Sequence, residues 1–415
     1  MIEPDRSLAR LQSLDTVRGI AVMGILLLNI VGFAMPEAAY YNPRAYGGSD
    51  GIDLAVYLVN FVLFDGKMRG LFSFLFGASM LMVIERAEAK GENPARVHFM
   101  RMAWLFVFGL LHLYLLWVGD ILAHYAMIGI LAYFCRRMAP ARLIALGIVL
   151  VLVQTLFFTL MFPVLVHVIQ NGTPDAGGAQ TLAGYQRSFG IPPADDIASA
   201  LALHRGDHAG LVADRLRQFP MGPLPMTMIF GWETLAYMLF GMAALRTGML
   251  RGEWGRIAYR RGAMIGLGIG IPAYAALVAW QVASGFSLFS VLTAFTAAVP
   301  LRPVMVVGWL CLILLTMRPD GRWTQRIAAT GRMAFTNYLA TSLICTTLFY
   351  GYGLGWYGHL GRAQLYLVVV AMWALMLLWS QPWLARFRYG PLEWLWRSLA
   401  RMRFQPIRGS AALAD

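Results

Sequence analysis

Residues 14–35 read LDTVRGIAVMGILLLNIVGFAM, and this run decides the fold class. It is long enough to cross a bilayer as a helix, yet it is not the plain apolar run of a simple anchor. Asp15 and Arg18 stand at its entry, spaced i, i+3 on one helix face, and Asn29 follows eleven residues after the arginine. At 1.5 Å per residue that separation is ~16 Å, or about three turns. The charged pair therefore sits near one membrane face and the amide lies deep, toward the other. Polar groups at such depth face a bundle interior or a water-filled cavity, so the first helix reads as the wall of a site.

The rest of the chain extends this reading. Of 415 residues, 59% are hydrophobic and the mean hydropathy is +0.61, which implies an all-α, polytopic helical membrane bundle. The net charge of +13 does not point to nucleic acid, because the arginines cluster in short loops between apolar segments and act as topology signals. Cys135, Cys311 and Cys345 fall in or beside apolar segments without metal-ligand spacing, so no metal site and no disulfide framework is expected. The first apolar run, carrying Asn29 and led by a charged pair, is read as an uncleaved span.

Ten hydrophobic segments are expected to cross: 17–35, 68–85, 99–118, 121–135, 143–167, 224–245, 262–283, 287–317, 333–353 and 363–385. They form a single transmembrane domain over 1–415. Its N-terminal helices occupy 17–167, a noncytoplasmic loop 168–222, and its C-terminal helices 223–400. The stretch 51–65 is the ambiguous one. If it spanned separately, Arg86, Lys90, Arg96 and Arg101 would face the side opposite the N-terminus, against the positive-inside rule. An interfacial or re-entrant placement restores the rule and puts both termini in the cytoplasm of a bacterial inner membrane. Segment 287–317, broken by Pro300 and Arg302-Pro303, is expected to be a kinked or partly re-entrant helix. The cluster His204-Arg205-Gly206-Asp207-His208 reads as a solvated turn rather than a two-histidine metal site.

Several polar residues inside or beside these segments are functional candidates. Lys67 and Arg69 precede the second span and are expected on the noncytoplasmic face, snorkelling to headgroups or contacting an anion in a cavity. His112 lies inside a span, and Asp120 opens the next helix. Eight residues of helix would hold the two ~12 Å apart, so a base–orienter pair requires a bend. Glu233 is an intramembrane carboxylate without a basic neighbour in sequence: a proton site, a partner for Arg69, or a protonated bundle residue. His112 and His124 do not supply the paired histidines of a haem carrier.

The C-terminal third carries a resemblance. It reads Gly331-Arg332-Met333-Ala334-Phe335-Thr336-Asn337-Tyr338, then FYGYGLG at 349–355, SQPWL at 380–384 and RFRYGPLEWLWR at 386–397. With the blocks LLHLYLLWVGDIL at 110–122 and FSFLFG at 72–77, it resembles the YeiB-like family of bacterial inner-membrane proteins, defined by domain of unknown function 418. That family is similar, distantly, to the membrane acyltransferases, including the acyltransferase-3 and heparan-glucosaminide acetyltransferase groups, whose first helix resembles Asp-X-X-Arg-Gly. The acyltransferase-3 group commonly has a histidine eleven residues after that arginine, where this chain has Asn29. The glucosaminide group also has Asn there and takes its histidine from the following loop, but 36–50 of this chain contains none.

The resemblance implies an acyltransferase-like protein with acyl-CoA as co-substrate, no permanently bound cofactor, and a lipid, glycan or small envelope molecule as acceptor. Asp15, Arg18, Arg69, Arg332 and Asn337 are the candidates for donor or anion binding. His112, Asp120 or Glu233 would deprotonate the acceptor, and Asn29 would stabilise the oxyanion. Glu393 is expected to pair with Arg397 on an interfacial helix. Membrane lipids are the expected surroundings, and the chain is compatible with a homodimer. Two other readings stand beside this one: a transporter or exporter of a small amphiphile, and a lipid-binding membrane protein without turnover.

Overall fold

A computed structural model describes residues 4–172 and 175–408; the side chains of residues 4–11 and residues 173 and 174 of the expected loop lie outside what it describes. The chain opens with α1 (Pro4–Ala34) and a single turn, α2 (Ala38–Tyr41). Next come α3 (Gly51–Leu63), α4 (Lys67–Ala89), and α5 (Pro94–Leu111), which runs into a π-helical turn (His112–Leu116). After an irregular stretch follow α6 (Leu122–Phe134) and α7 (Pro140–Thr159), which passes through a second π turn into α8 (Leu165–Asn171). Three amphipathic helices cover one end: α9 (Ala176–Phe189), α10 (Ala194–Arg205) and α11 (His208–Gln218). The second half holds α12 (Leu224–Arg246), α13 (Arg256–Ala283), α14 (Leu288–Thr316), α15 (Arg322–Arg332), α16 (Ala334–Phe349), α17 (Leu365–Arg386) and α18 (Pro391–Ala400).

Local chemistry sets these boundaries. Asn93 accepts the Arg96 N–H ahead of Pro94 at α5, Asp207 accepts from Gly210 at α11, and Ser287 accepts from Ser290 at α14. Among the described residues, eight segments are long and apolar enough to cross a membrane, and two shorter apolar helices, α6 and α16, complete the ten expected ones. The arginine-bearing loops gather at the end of the bundle that holds the start of α1 and the end of α17. There Trp396 donates to the Arg101 carbonyl (2.9 Å), Arg246 to the Met138 carbonyl (2.5 Å) and Ser13 to the Leu250 carbonyl (2.9 Å). The opposite end, beneath α9–α11, is closed by Gly351 N–H on the His204 carbonyl (2.9 Å) and Gly358 N–H on the Ala34 carbonyl (2.7 Å). We call these the terminal face and the loop face.

Several expectations sharpen or change. The stretch 51–65 is not a separate candidate span: α3 enters from the loop face, buries Tyr57, Asn60 and Phe61 while Ile52 and Val59 stay exposed, and meets α4 through a turn at Gly66. Gly66 adopts φ 69°, a left-handed conformation open to glycine at little cost, so α3 and α4 form one broken crossing. Lys67 is fully buried and does not snorkel, while the Arg69 side chain, about a third exposed, meets a carboxylate, the anion contact open to it. Helix α14 runs as one helix from Leu288 to Thr316 with Pro300 and Pro303 inside it. Glu393 does not pair with Arg397. It accepts the Phe335 N–H (2.8 Å) and Thr336 N–H (3.1 Å) at the start of α16, where a carboxylate is favoured by the helix dipole. Arg397 instead lies over the Tyr389 ring (4.6 Å).

In the loop helices His204 stacks on Tyr357 (4.2 Å) and His208 bonds the Leu115 carbonyl (2.8 Å), so the two rings serve packing at separate places. Burial holds the His204 imidazole below the usual histidine range.

Lipid supplies little hydrophobic drive between helices, so close approach of backbones matters. At the crossing of α4 and α12, Gly77 lies on the Met238 backbone and Gly241 on the Phe74 carbonyl oxygen; a Cβ at either would collide. Gly19 and Gly331 seat α1 against α15 in the same way. Gly241→Ala is therefore expected to cost about 1–3 kcal/mol through overpacking. Gly268→Ala, which meets open space, should not destabilise the protein. Thermal unfolding in detergent compares the two, and equal melting would contradict the crossing.

Candidate functional site: a buried acid–base chain and an ionic centre

The residues singled out from sequence fall into three groups. At the terminal face, Arg18 donates to Asp15 (2.8 Å) and to Ser79 Oγ on α4 (2.7 Å). Arg332 and Arg397 lie within electrostatic range of Asp15, and Arg332 also reaches the Arg388 carbonyl (3.4 Å). The pair is partly exposed, as the mouth of an anion site would be. Asn337, by contrast, is committed inside the protein. Its Nδ2 donates to the Thr330 carbonyl (3.1 Å) and Ser380 (3.2 Å), while its Oδ1 accepts from Trp379 (2.9 Å), tying α15, α16 and α17 together.

The second group is an acid–base chain. A straight helix would hold His112 and Asp120 apart, but the π turn ends at Trp117 and the backbone leaves the helix until α6 begins. That break is the required bend. His112 Nδ1 meets Asp120 Oδ1 at 2.9 Å, and His112 Nε2 meets Ser342 Oγ of α16 at 2.9 Å. Asp120 Oδ2 accepts the Ala123 N–H (2.8 Å) and so caps α6 at the same time. An ionised Asp120 favours the tautomer with Nδ1–H donating, which leaves Nε2 as an acceptor for the Ser342 hydroxyl, whose proton the Tyr338 carbonyl (3.3 Å) also accepts. The His112, Asp120 and Ser342 side chains are all essentially buried.

Trp117 links this group to the first helix. Its ring stacks on Phe33 (3.9 Å), its Nε1 donates to the Gly32 carbonyl (3.3 Å), and its centroid is 6.3 Å from that of His112. Asn29 lies one turn before Gly32 on α1. Its side chain is half-buried and takes part in no hydrogen bond among the described residues.

The third group is ionic. Glu233, fully buried on α12, receives Arg302 Nη1 at both carboxylate oxygens (2.8 and 2.9 Å). Arg69 Nη2 (3.1 Å) and the Tyr237 hydroxyl (3.2 Å) complete the shell. Of the alternatives open to Glu233, the partner for Arg69 is present, and a second arginine joins it. His124, nearby on α6, is held between Thr227 (3.1 Å) and Thr234 (2.8 Å).

Sequence reading missed Ser342 and the role of Arg302. A lone serine in an apolar helix carries no signal. Arg302 did carry one: an intramembrane arginine, in a chain with an unpartnered intramembrane carboxylate, implies a pair.

Fold and site define a polytopic helical membrane protein with charged and acid–base groups enclosed between its helices. The family model described as "Protein of unknown function (DUF418)" matches residues 244–403. The chain is 33% identical to the protein YeiB of Escherichia coli K12, over 93% of this chain and 95% of that relative. It is 31% identical to the protein YxaH of Bacillus subtilis 168, over 98% of both chains. A 39.9 kDa protein from the amylase 3' region of Bacillus acidopullulyticus is 26% identical over 96% of both. No solved structure matches. The chain belongs to the YeiB-like DUF418 family.

The ionic centre has a testable energetic consequence. Glu233→Gln leaves two arginines facing each other without a counter-charge, and breaking a buried pair from one side costs about 3–5 kcal/mol. Tyr237→Phe removes one hydrogen bond and should cost about 1 kcal/mol. Thermal unfolding in detergent measures both, and wild-type stability in the glutamine variant would refute a charged centre.

Proposed function

We propose that the protein is an integral-membrane acyltransferase of the bacterial inner membrane, both termini cytoplasmic, passing an acyl group from an acyl-CoA-type donor to a lipid, glycan or small envelope molecule. The observation that carries this reading is the Asp120–His112–Ser342 chain. An imidazole oriented by a carboxylate on Nδ1, with a hydroxyl on Nε2, is the arrangement general-base chemistry requires. Of the three candidate bases, His112 is the one suited to the task. Both oxygens of Asp120 and both of Glu233 are already taken by stronger partners.

In this mechanism Arg18, helped by Arg332, holds donor phosphates at the terminal face. The thioester reaches into the bundle beside Asn29. The acceptor hydroxyl or amine takes the place of the Ser342 hydroxyl at His112 Nε2. As its oxygen or nitrogen attacks the thioester carbonyl, its proton passes to Nε2. The tetrahedral intermediate, with its oxyanion bonded by the Asn29 amide, collapses with loss of the thiolate, which takes the proton from His112. Asp120 keeps the ring aligned and stabilises the imidazolium between the two transfers.

Transport of a small amphiphile is the second reading. What favours it is the layer of Arg69, Glu233 and Arg302 between the two faces, an arrangement that suits a gate.

The two readings separate in proteoliposomes supplied with radiolabelled acetyl-CoA and membrane lipid. Acyl transfer is expected, with His112→Gln lowering the rate ~10²–10⁴-fold. Asp120→Asn should produce a smaller loss, and Ser342→Ala should retain turnover because the acceptor replaces that hydroxyl. Solute movement without thioester consumption would replace acyl transfer by transport. A His112→Gln variant at full rate would end the mechanism.

A further inference from the structure

On the loop-face side of the ionic centre, α1, α3 and α14 line a small, partly open cavity of about 30 Å³. The proposed acyl-transfer chemistry does not use it. Its polar lining is unusual for the inside of a bundle. Asp65 lies on the wall within electrostatic range of Arg302 and Lys67, and no hydrogen bond or ion pair among the described residues engages its carboxylate. The neighbouring Lys67 is spent elsewhere: its Nζ donates to the Phe61 carbonyl (2.6 Å) and sits 3.2 Å from the centroid of the Tyr274 ring.

Asn60, only 8% exposed, also lines the cavity. Its Nδ2 donates to the Tyr366 hydroxyl, while its Oδ1 has no partner. Arg362, 2% exposed, lines it too. Its Nη2 is held by the Ala39 (2.7 Å) and Tyr46 (3.3 Å) carbonyls, and its Nε has no partner. A buried polar group left unpaired is costly, and here one acceptor and one donor are left so in the same cavity.

The aromatic walls are fixed in place. The Tyr57 hydroxyl donates to the Tyr41 carbonyl (2.8 Å) and Gln281 (3.2 Å), and the Tyr366 hydroxyl to the Leu27 carbonyl (2.7 Å). With their hydroxyls engaged by the protein, these residues contribute ring surface, on which an organic cation is favoured.

We propose that this cavity binds a small zwitterion: an ammonium group at Asp65 and the Asn60 carbonyl, and a carboxylate or phosphate at Arg362. The ammonium supplies donors to an unpaired acceptor and a carboxylate, and the anion supplies an acceptor to the unpaired guanidinium N–H. A simple cation would leave the arginine unpaired, and a simple anion would face Asp65. The same chemistry is offered by a free amino acid or phosphoamine and by the headgroup of phosphatidylethanolamine.

Calorimetric titration of the full-length protein in detergent tests this with O-phosphoethanolamine and β-alanine as probes, against ethanolamine, inorganic phosphate and acetate. Saturable binding of a zwitterion, at least ten-fold tighter than of either half, is expected. Asp65→Asn should weaken it at least ten-fold, while His112→Gln leaves it unchanged, which separates this site from the acyl-transfer chemistry. Thermal unfolding in nanodiscs of phosphatidylethanolamine against phosphatidylglycerol identifies the source. Stabilisation by phosphatidylethanolamine without a response to soluble probes assigns a lipid headgroup. The proposal is overturned if neither source binds, or if the half-ligands bind as well as the zwitterions. Undiminished binding to a folded Asp65→Asn variant would also overturn it. The comparison of half-ligands uses wild-type protein and stands even if the variant does not fold.

Discussion

The enclosed Glu233 carboxylate, shared between Arg302 and Arg69, is the interaction around which the rest is arranged. An ionised group deep in a bundle is tolerated only with a counter-charge at hydrogen-bond distance, so α4, α12 and α14 must meet at one depth. Meeting there requires α4 to begin inside the bundle, which is why α3 turns at Gly66 instead of running on as one straight helix. It also requires α4 and α12 to cross almost backbone to backbone, and Gly77 and Gly241 provide the room.

The same constraint divides the interior. On the terminal-face side the partly exposed Asp15–Arg18 pair is available to an anion. On the loop-face side a cavity retains polar atoms that the fold leaves unpaired. The Asp120–His112–Ser342 chain stands beside this axis and rests on a different device, a helix that loosens into a π turn and then breaks. Such turns recur at functional sites because they re-aim a side chain that a regular helix would point elsewhere. Asp120 both caps α6 and orients His112, so the geometry of the base is tied to the geometry of a helix start.

Much of this was legible in the residues. Among the described residues the apolar runs correspond to eight helices long enough to cross a membrane and two shorter ones, and the arginine-rich loops do gather on one face. The ~12 Å gap between His112 and Asp120 on an ideal helix correctly demanded a bend. Other expectations failed for physical reasons. Lys67 and Arg69 were open to snorkelling or to an anion contact in a cavity; Lys67 is buried against the Phe61 carbonyl and the Tyr274 ring, and Arg69 meets the Glu233 carboxylate. Asn337 drew attention as a polar residue in a marked motif, yet three neighbouring helix groups use up its amide. Asp65, Asn60 and Arg362 drew little, since each alone resembles an ordinary loop or interfacial residue.

By itself, the sequence determined that this is a helical membrane protein of the YeiB-like kind, where its long apolar helices lie, and that polar groups lie among them. Those properties follow from hydropathy, capping and local motif, all of which act between near neighbours. Which charge meets which was decided only by the tertiary structure. Glu233 and Arg302 are 69 residues apart, and His112 and Ser342 are 230 apart. In a medium without water to satisfy polar groups, such partners are chosen by helix packing in three dimensions, and no short window of sequence contains both.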